Sequence, residues 1–414
     1  MRYIFMIINV IRLSNSLDPN ASFKKDGDNF IDEINNELFD KDYELVENDD
    51  SALFNVIFIE TGGAEQHFVK IEKELPRPII LISDCLNNSL PACLEIKSFL
   101  SNNKEDCILL FGKEKEIASA IVEISKIEIA KRYISGANLG VIGKPSDWLI
   151  ASLVDYEEAK KVYNVNLIDI TSKELKNEID KGELENIQNR SKYEKLAQNS
   201  EVLTGALAIY SGLKRLIERY KLKGFTLRCF DLIEEYKNTA CLALAMLNDE
   251  GIIATCEGDV PSMLSMLIVK ACTDKVSFQA NPSRITFGDK DSDNEVLFAH
   301  CTLPLSMANK IDFMTHFESG LGIGIRGELS KGSITIFKLS RDLKSYLLIN
   351  GEIKENLKLP NYCRTQILVK LEDEDLYPLI NKSYGNHVII SYGDNTSEIM
   401  NVLHYFAEQA SLHK

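Results

Sequence analysis

Glu257 and Asp259 flank a single glycine in the stretch Cys-Glu-Gly-Asp at residues 256–259, between the apolar run IIATC and Pro261. That order sets two carboxylates on a tight turn where a strand gives way to a helix. Carboxylate, amide and water oxygens suit a hard divalent cation, and one imidazole is tolerated more readily by Mn²⁺ than by Mg²⁺. The same residues also read as a helix N-cap, with Asp259 accepting from first-turn amides. Both readings stand at this point. Three histidines have the same double character. His300 closes EVLFAH, His316 stands in THFESG and His387 in GNHVIISYGD; each is of the type to hold a metal or a sugar hydroxyl, and equally of the type to be a satisfied structural residue.

Ligands of open α/β sheets bind beyond the carboxyl ends of the strands, so polar groups at strand exits carry the most weight. Besides residues 256–259 these are TGGAE at 61–65, GKPSDW at 143–148, RCFD at 228–231, and the pair Asn281 and His387. Trp148 is the only tryptophan; its ring could stack on the apolar face of a sugar or pack half-buried. The glycines of FESGLGIGIRGEL alternate with Ile and Leu in a strand pattern with no helix directly after them. They mark close backbone approach or a bulge as readily as a phosphate loop.

The elements that must position these groups follow from periodicity. Over the first third, short β-rich runs (YIFMIINVI, NVIFIETGG, RPIILISD, CILLFG) alternate with helix-patterned segments, which predicts βαβ units and a parallel, doubly wound sheet. The N-terminal run is short, interrupted by Asn9 and without a small-residue cleavage site, so it reads as a first strand rather than a leader. A helix over 114–133 closes this unit. At ANLGVIG the same grammar resumes, with a long polar helical region over 172–220, the strand TLRCFDLI, a helix over 239–248 and the strand IIATC. Past about residue 276 the period becomes alternating, with seven strand-like runs and one terminal helix over 397–412, which predicts a barrel or sandwich. The expected architecture is α/β: two doubly wound parallel α/β domains at 1–136 and 137–275, and a mainly β domain at 276–414.

Composition narrows the function. The chain has 414 residues, 45% of them apolar, enough for more than one core. A formal net charge of -15 repels phosphate backbones and anionic lipid surfaces, so nucleic acid and membrane are not expected partners. The nine cysteines include no CxxC pair, which points to a reducing cytoplasm rather than a disulfide framework or a zinc site.

Taken in order, the motifs at 142–148, 228–231, 256–259 with the Met-rich helix after it, 278–283, 299–304, 316–320 and 385–394 resemble those of the L-fucose isomerase and L-arabinose isomerase family. They cover residues 137–414; the N-terminal third matches in architecture and in TGGAE. The resemblance implies an aldose–ketose isomerase working through a cis-enediol. It implies bound Mn²⁺, a sugar substrate, and a homo-oligomer, trimer or hexamer, with its site near subunit contacts. It places metal ligands at Glu257, Asn281 and His387, and gives proton transfer to the carboxylates. The family has an aspartate where this chain has Asn281. A carboxamide can coordinate but takes no proton near neutrality, so the second base falls to Asp259, Asp231 or a metal-bound water. Trp148, His300, His316 and Arg326 are the expected sugar contacts. Three alternatives accompany this reading: an isomerase of a modified or anionic sugar, with Arg326 or Arg364 serving the anion; a sugar-binding protein that kept the cleft and lost the base; and a structural subunit of an enzyme assembly.

Overall fold

The computed structural model describes residues 5–15, 23–49, 51–184, 187, 190–290, 292–382 and 384–412. The chain forms two compact units, Met1–Ile129 and Ala130–Lys414. In the first, the chain runs β1 (Met6–Leu13), α1 (Phe23–Phe39), β2 (Tyr43–Glu47), β3 (Asn55–Ile59), α2 (Glu65–Ile71), β4 (Ile79–Ser83), α3 (Ser89–Asn102), β5 (Cys107–Phe111) and α4 (Glu114–Ile134), whose last turn belongs to the second unit. The sheet order is β2-β1-β3-β4-β5 with every pairing parallel. Ile8, Val10, Val56 and Phe58 pack with α1 and α4, while Ile57, Ile59, Ile79 and Leu81 pack with α2 and α3. Helices therefore cover both faces, which is why these strands read as continuous apolar runs. The N-terminal run is β1, as its β-rich composition predicts.

The second unit opens with another parallel sheet. Its elements are β6 (Asn138–Ile142), α5 (Tyr156–Tyr163), β7 (Asn166–Ile170), α6 (Ser172–Ile179), α7 (Arg190–Leu196), α8 (Ser200–Tyr220), β8 (Gly224–Leu227), α9 (Phe230–Tyr236), α10 (Cys241–Asp249), β9 (Ile253–Cys256) and α11 (Val260–Thr273), with strand order β7-β6-β8-β9. The polar region expected as one long helical stretch over 172–220 is three helices. Thr171 and Asn199 each cap a new start with their side chains, and local capping outweighs continued helical pattern there.

The remainder is β10 (Phe278–Thr286), β11 (Asn294–His300), β12 (Ala308–Met314), β13 (Gly324–Leu329), β14 (Gly332–Leu339), β15 (Tyr346–Asn356), β16 (Thr365–Leu371), α12 (Asp373–Asn381), β17 (Val388–Tyr392) and α13 (Thr396–Leu412). Six strands close into an antiparallel barrel in the order β10-β11-β16-β15-β14-β17, and β12 and β13 form a separate ribbon. Two elements depart from the expectation of a single terminal helix and seven strands. β12 is an additional strand, and α12 an additional helix whose three first-turn acids and internal Pro378 give it the composition of a loop. One continuous apolar core runs from α8 and α10 through Phe225 and Ala254 into the barrel at Phe278, Val296, Ile336 and Ile390. The parallel sheet and the barrel thus share their interior, and the expected boundary at residue 275 lies within this unit.

Candidate active site

β8 and β9 run parallel with Leu227 opposite Cys256, and beyond Cys256 the backbone turns sharply. Glu257 has φ 67° and Gly258 φ 74°. A glutamate in the left-handed region is strained by roughly 1–2 kcal/mol. Gly258 has a second reason to be glycine: a Cβ there would lie 2.5 Å from the Lys144 carbonyl oxygen and 2.6 Å from Pro145 Cα. Only a bare backbone lets the GKPSDW loop lie across this turn. The loop is fixed there by the Ser146 amide donating to the Glu257 carbonyl at 2.9 Å, and from below the Cys256 amide donates to Gln279 Oε1 at 2.8 Å. Asp259 then caps α11, accepting from the Ser262 amide at 2.9 Å, with Pro261 in the first turn.

The second half of the site comes from one rim of the barrel. β17, β10, β11 and β16 are consecutive around it. His387 directly precedes β17, Asn281 lies opposite Ala299, and His300 ends β11 opposite Thr365. Glu257, His300 and His387 come together, all buried, with ligand-type atoms within 4.8 Å of one another. The Nε2 atoms of His387 and His300 stand 3.4 and 3.9 Å from Glu257 Oε1. Each ring is pinned from its other nitrogen: His387 Nδ1 pairs with Asp259 Oδ2 at 2.9 Å, and His300 Nδ1 with Thr302 Oγ1 at 3.0 Å. Lys338 Nζ in turn donates to both Asp259 oxygens at 3.0 and 2.9 Å and to Ser262 Oγ at 2.6 Å. This is the pattern by which outer partners fix the tautomer and aim of a metal-binding imidazole. His387 Nε2 and Asn281 Oδ1 are both buried without a hydrogen-bond partner. Unpaired buried polar atoms are costly, and a divalent ion accepted by Glu257, His300 and His387 would satisfy the imidazole; the donor set fits one.

The electrostatics are those of a tightly coupled cluster. Burial would raise the Glu257 carboxyl, but His300 and His387 beside it hold it far below the usual carboxylate range. Asp259 is likewise penalised by burial yet held low by Lys338 and His387. Burial works against the His387 cation, and Asp259 and Glu257 outweigh it, raising the group to about 9. His300 is pushed down by burial. His316 falls to about 4 through burial, with His300 and Arg364 adding to the effect.

The other expected residues divide by what they touch. Trp148, 51% exposed, donates from Nε1 to Glu257 Oε2 at 2.7 Å. Its ring meets Phe230 edge-on at 4.8 Å, and Phe230 meets His316 edge-on at 5.7 Å, so Trp148 and His316 flank one aromatic surface beside Glu257. Asp231 accepts from Arg228 Nε at 2.9 Å and from Ser172 Oγ at 3.2 Å, and Arg228 also forks onto Asp147. Asp231 thus anchors the GKPSDW loop through Arg228. Arg326 pairs with Asp312 across β12 and β13 at 3.0 Å. Two residues escaped the sequence reading. Lys338 is buried in a strand covered on both faces; a lone lysine inside the run ITIFKL was the available signal, because such a charge demands a carboxylate. Glu318, in the HFESG turn, is raised by burial and by Glu257.

No family model matches the chain. It is 24% identical over 379 residues to a sulfoquinovose isomerase of Priestia aryabhattai, covering 85% of this chain and 82% of the relative, and the sulfoquinovose isomerase of Priestia megaterium matches to the same extent. A sulfoquinovose isomerase of Alkalicoccus urumqiensis is 22% identical over 332 residues, covering 76% and 74%. The chain is an enzyme of the sugar-isomerase kind. Among the described residues no helix is long and apolar enough to cross a membrane.

Proposed function

We propose that the protein is a divalent-metal-dependent aldose–ketose isomerase whose substrate is a hexose carrying an anionic substituent, sulfoquinovose being the sulfonated hexose that the relatives' name supplies. The observation that carries this reading is the buried Glu257, His300 and His387 constellation with its unpartnered His387 nitrogen. The relatives' name favours the anionic-sugar alternative over a plain L-fucose or L-arabinose type substrate. Mn²⁺ is the proposed ion on the strength of the resemblance; two imidazoles beside one carboxylate also suit Fe²⁺ and Co²⁺. Cytoplasmic residence and a homo-oligomer belong to the same reading.

Glu257, His300 and His387 would hold the ion, with the Asn281 amide oxygen a further ligand or a hydroxyl contact. When bound it supplies positive charge beside the two sugar oxygens on which an enediolate develops. Glu257 removes the C2 proton and returns it to C1 while the O2 hydroxyl proton passes to O1, the Trp148 indole fixing the direction of one carboxylate oxygen. Asp259, whose oxygens are taken by Lys338 and His387, holds His387 in place and takes no substrate proton. Asp231 holds Arg228 and the loop. His316, neutral at physiological pH because burial lowers its conjugate acid to about 4, offers a ring nitrogen to a sugar hydroxyl, and Glu318 supplies the second titratable carboxyl that Asn281 cannot.

The test is direct: incubate the Mn²⁺-loaded protein with sulfoquinovose and follow ketose formation by NMR. The reading predicts interconversion, lost on chelation and restored by added ion. Full turnover in rigorously metal-free protein sinks the metal dependence, and turnover of neutral aldoses alone sinks the anionic substrate.

A further inference from the structure

We propose that Arg364 is the residue that reads the anionic group of the sugar, setting the specificity of the isomerase site; the inference rests on the anionic-hexose reading above. Arg364 directly precedes β16, and the next residue, Thr365, is the cross-strand partner of His300. Neighbouring strands lie about 4.8 Å apart, so the guanidinium's strand stands next to that of a proposed ion ligand on the same barrel rim. Its side chain is held in place by neutral groups only. Nε donates to the Thr315 carbonyl at 2.6 Å and Nη2 to Thr315 Oγ1 at 3.2 Å, and the guanidinium lies over the Phe317 ring at 5.7 Å. A Cβ at Gly324 would come 3.3 Å from Arg364 Cγ and 3.4 Å from His316 Cα, so the bare backbone of Gly324 lets the arginine stem pack beside His316.

The other candidate cations are already neutralised. Arg228 is paired with Asp147 and Asp231, Lys338 with Asp259, and Arg326 with Asp312. Among the described residues Arg364 makes no ion pair, although Glu318 stands in the neighbouring turn. Lys144 is also without one, but its side chain is exposed, where water screens its charge. A preoriented guanidinium with no resident carboxylate is the donor geometry that takes two oxygens of a sulfonate or phosphate at once. A hexose held at C1 and C2 beside Glu257 carries its C6 substituent at the opposite end of the chain, and Arg364 is the cation offered on the adjoining strand.

The experiment compares wild type, R364M and R364K, each Mn²⁺-loaded, on sulfoquinovose, glucose 6-phosphate and neutral 6-deoxyglucose. Exchange of the C2 proton with heavy water is the readout, because it registers slow substrates. The proposal predicts that kcat/KM for the charged sugar relative to the neutral one falls about tenfold or more in R364M. The loss appears chiefly in KM, and R364K recovers part of it. The two anions decide whether sulfonate or phosphate ester is the better fit; dependence on Arg364 for either supports the assignment. A ratio unchanged within about twofold while both activities fall together makes Arg364 structural and overturns it, as does selective loss in K144Q with none in R364M. Wild-type protein that exchanges 6-deoxyglucose but neither charged sugar instead removes the anionic-hexose reading.

Discussion

Both units finish parallel strands in polar, glycine-containing turns, and they treat the polar atoms there in opposite ways. In the first unit, Glu60 at the exit of β3 receives Arg12 Nε and Nη2 at 3.0 and 2.6 Å. Arg12 also reaches Asp28 and Glu47, and Thr61 Oγ1 accepts the Asn15 amide at 2.7 Å. These charges satisfy one another. At the exit of β9 in the second unit, Glu257 is strained, buried, and faced by an imidazole nitrogen that has no hydrogen-bond partner. A closed network stabilises a strand end, whereas a strained one with unfilled hydrogen-bonding capacity is where function is to be sought.

Substitutions around the two strand ends test that contrast. Glu257→Gln removes the proposed base and an ion ligand, and C2 exchange should fall at least about 10²- to 10⁴-fold with the fold retained by circular dichroism. Substantial residual exchange would remove Glu257 from the chemistry. Lys338→Met leaves Asp259 buried and uncompensated, so denaturant unfolding should show a loss of about 3–5 kcal/mol, with part of it recovered when Asp259→Asn is added. Asp259→Asn alone should weaken divalent-ion binding about 10- to 100-fold by calorimetry, since it loosens the aim of His387. In the first unit, Arg12→Met strands Glu60 and should cost about 1–3 kcal/mol in stability while leaving ion affinity unchanged; a parallel loss of ion binding would show that the two strand ends are not the separate cases drawn here. Trp148→Phe, which deletes one hydrogen bond to Glu257, should lower kcat severalfold, on the order of 1 kcal/mol, measured at saturating substrate.

Much of this was legible in the residues themselves. Parallel sheets betray themselves through apolar runs such as RPIILISD, because both faces are covered, and the change to alternating period marks the barrel. The cap and a candidate ion site at residues 256–259 looked like rival readings, yet they are compatible: Asp259 caps α11 with one oxygen and pairs with His387 through the other. What local sequence could not reveal is assembly across the fold. His300 joins Glu257 and His387 only because β10, β11, β16 and β17 close around one rim, and the link from Lys338 to Asp259 spans 79 positions. Arg326 and Arg364 were indistinguishable as sequence; a cross-strand aspartate separates them. α12 hid behind its acids and Pro378, whose pattern is that of a turn.

In the proposed mechanism Glu257, beside an ion held at the barrel rim, moves the C2 proton of an anionic hexose. The most direct test of that role follows the C2 proton of sulfoquinovose in heavy water with Mn²⁺-loaded protein, chelated protein and Glu257→Gln side by side. Exchange with ketose formation is expected in the first and neither in the other two; exchange that persists in Glu257→Gln, or that is absent from the fully loaded wild type, would remove Glu257 from that role.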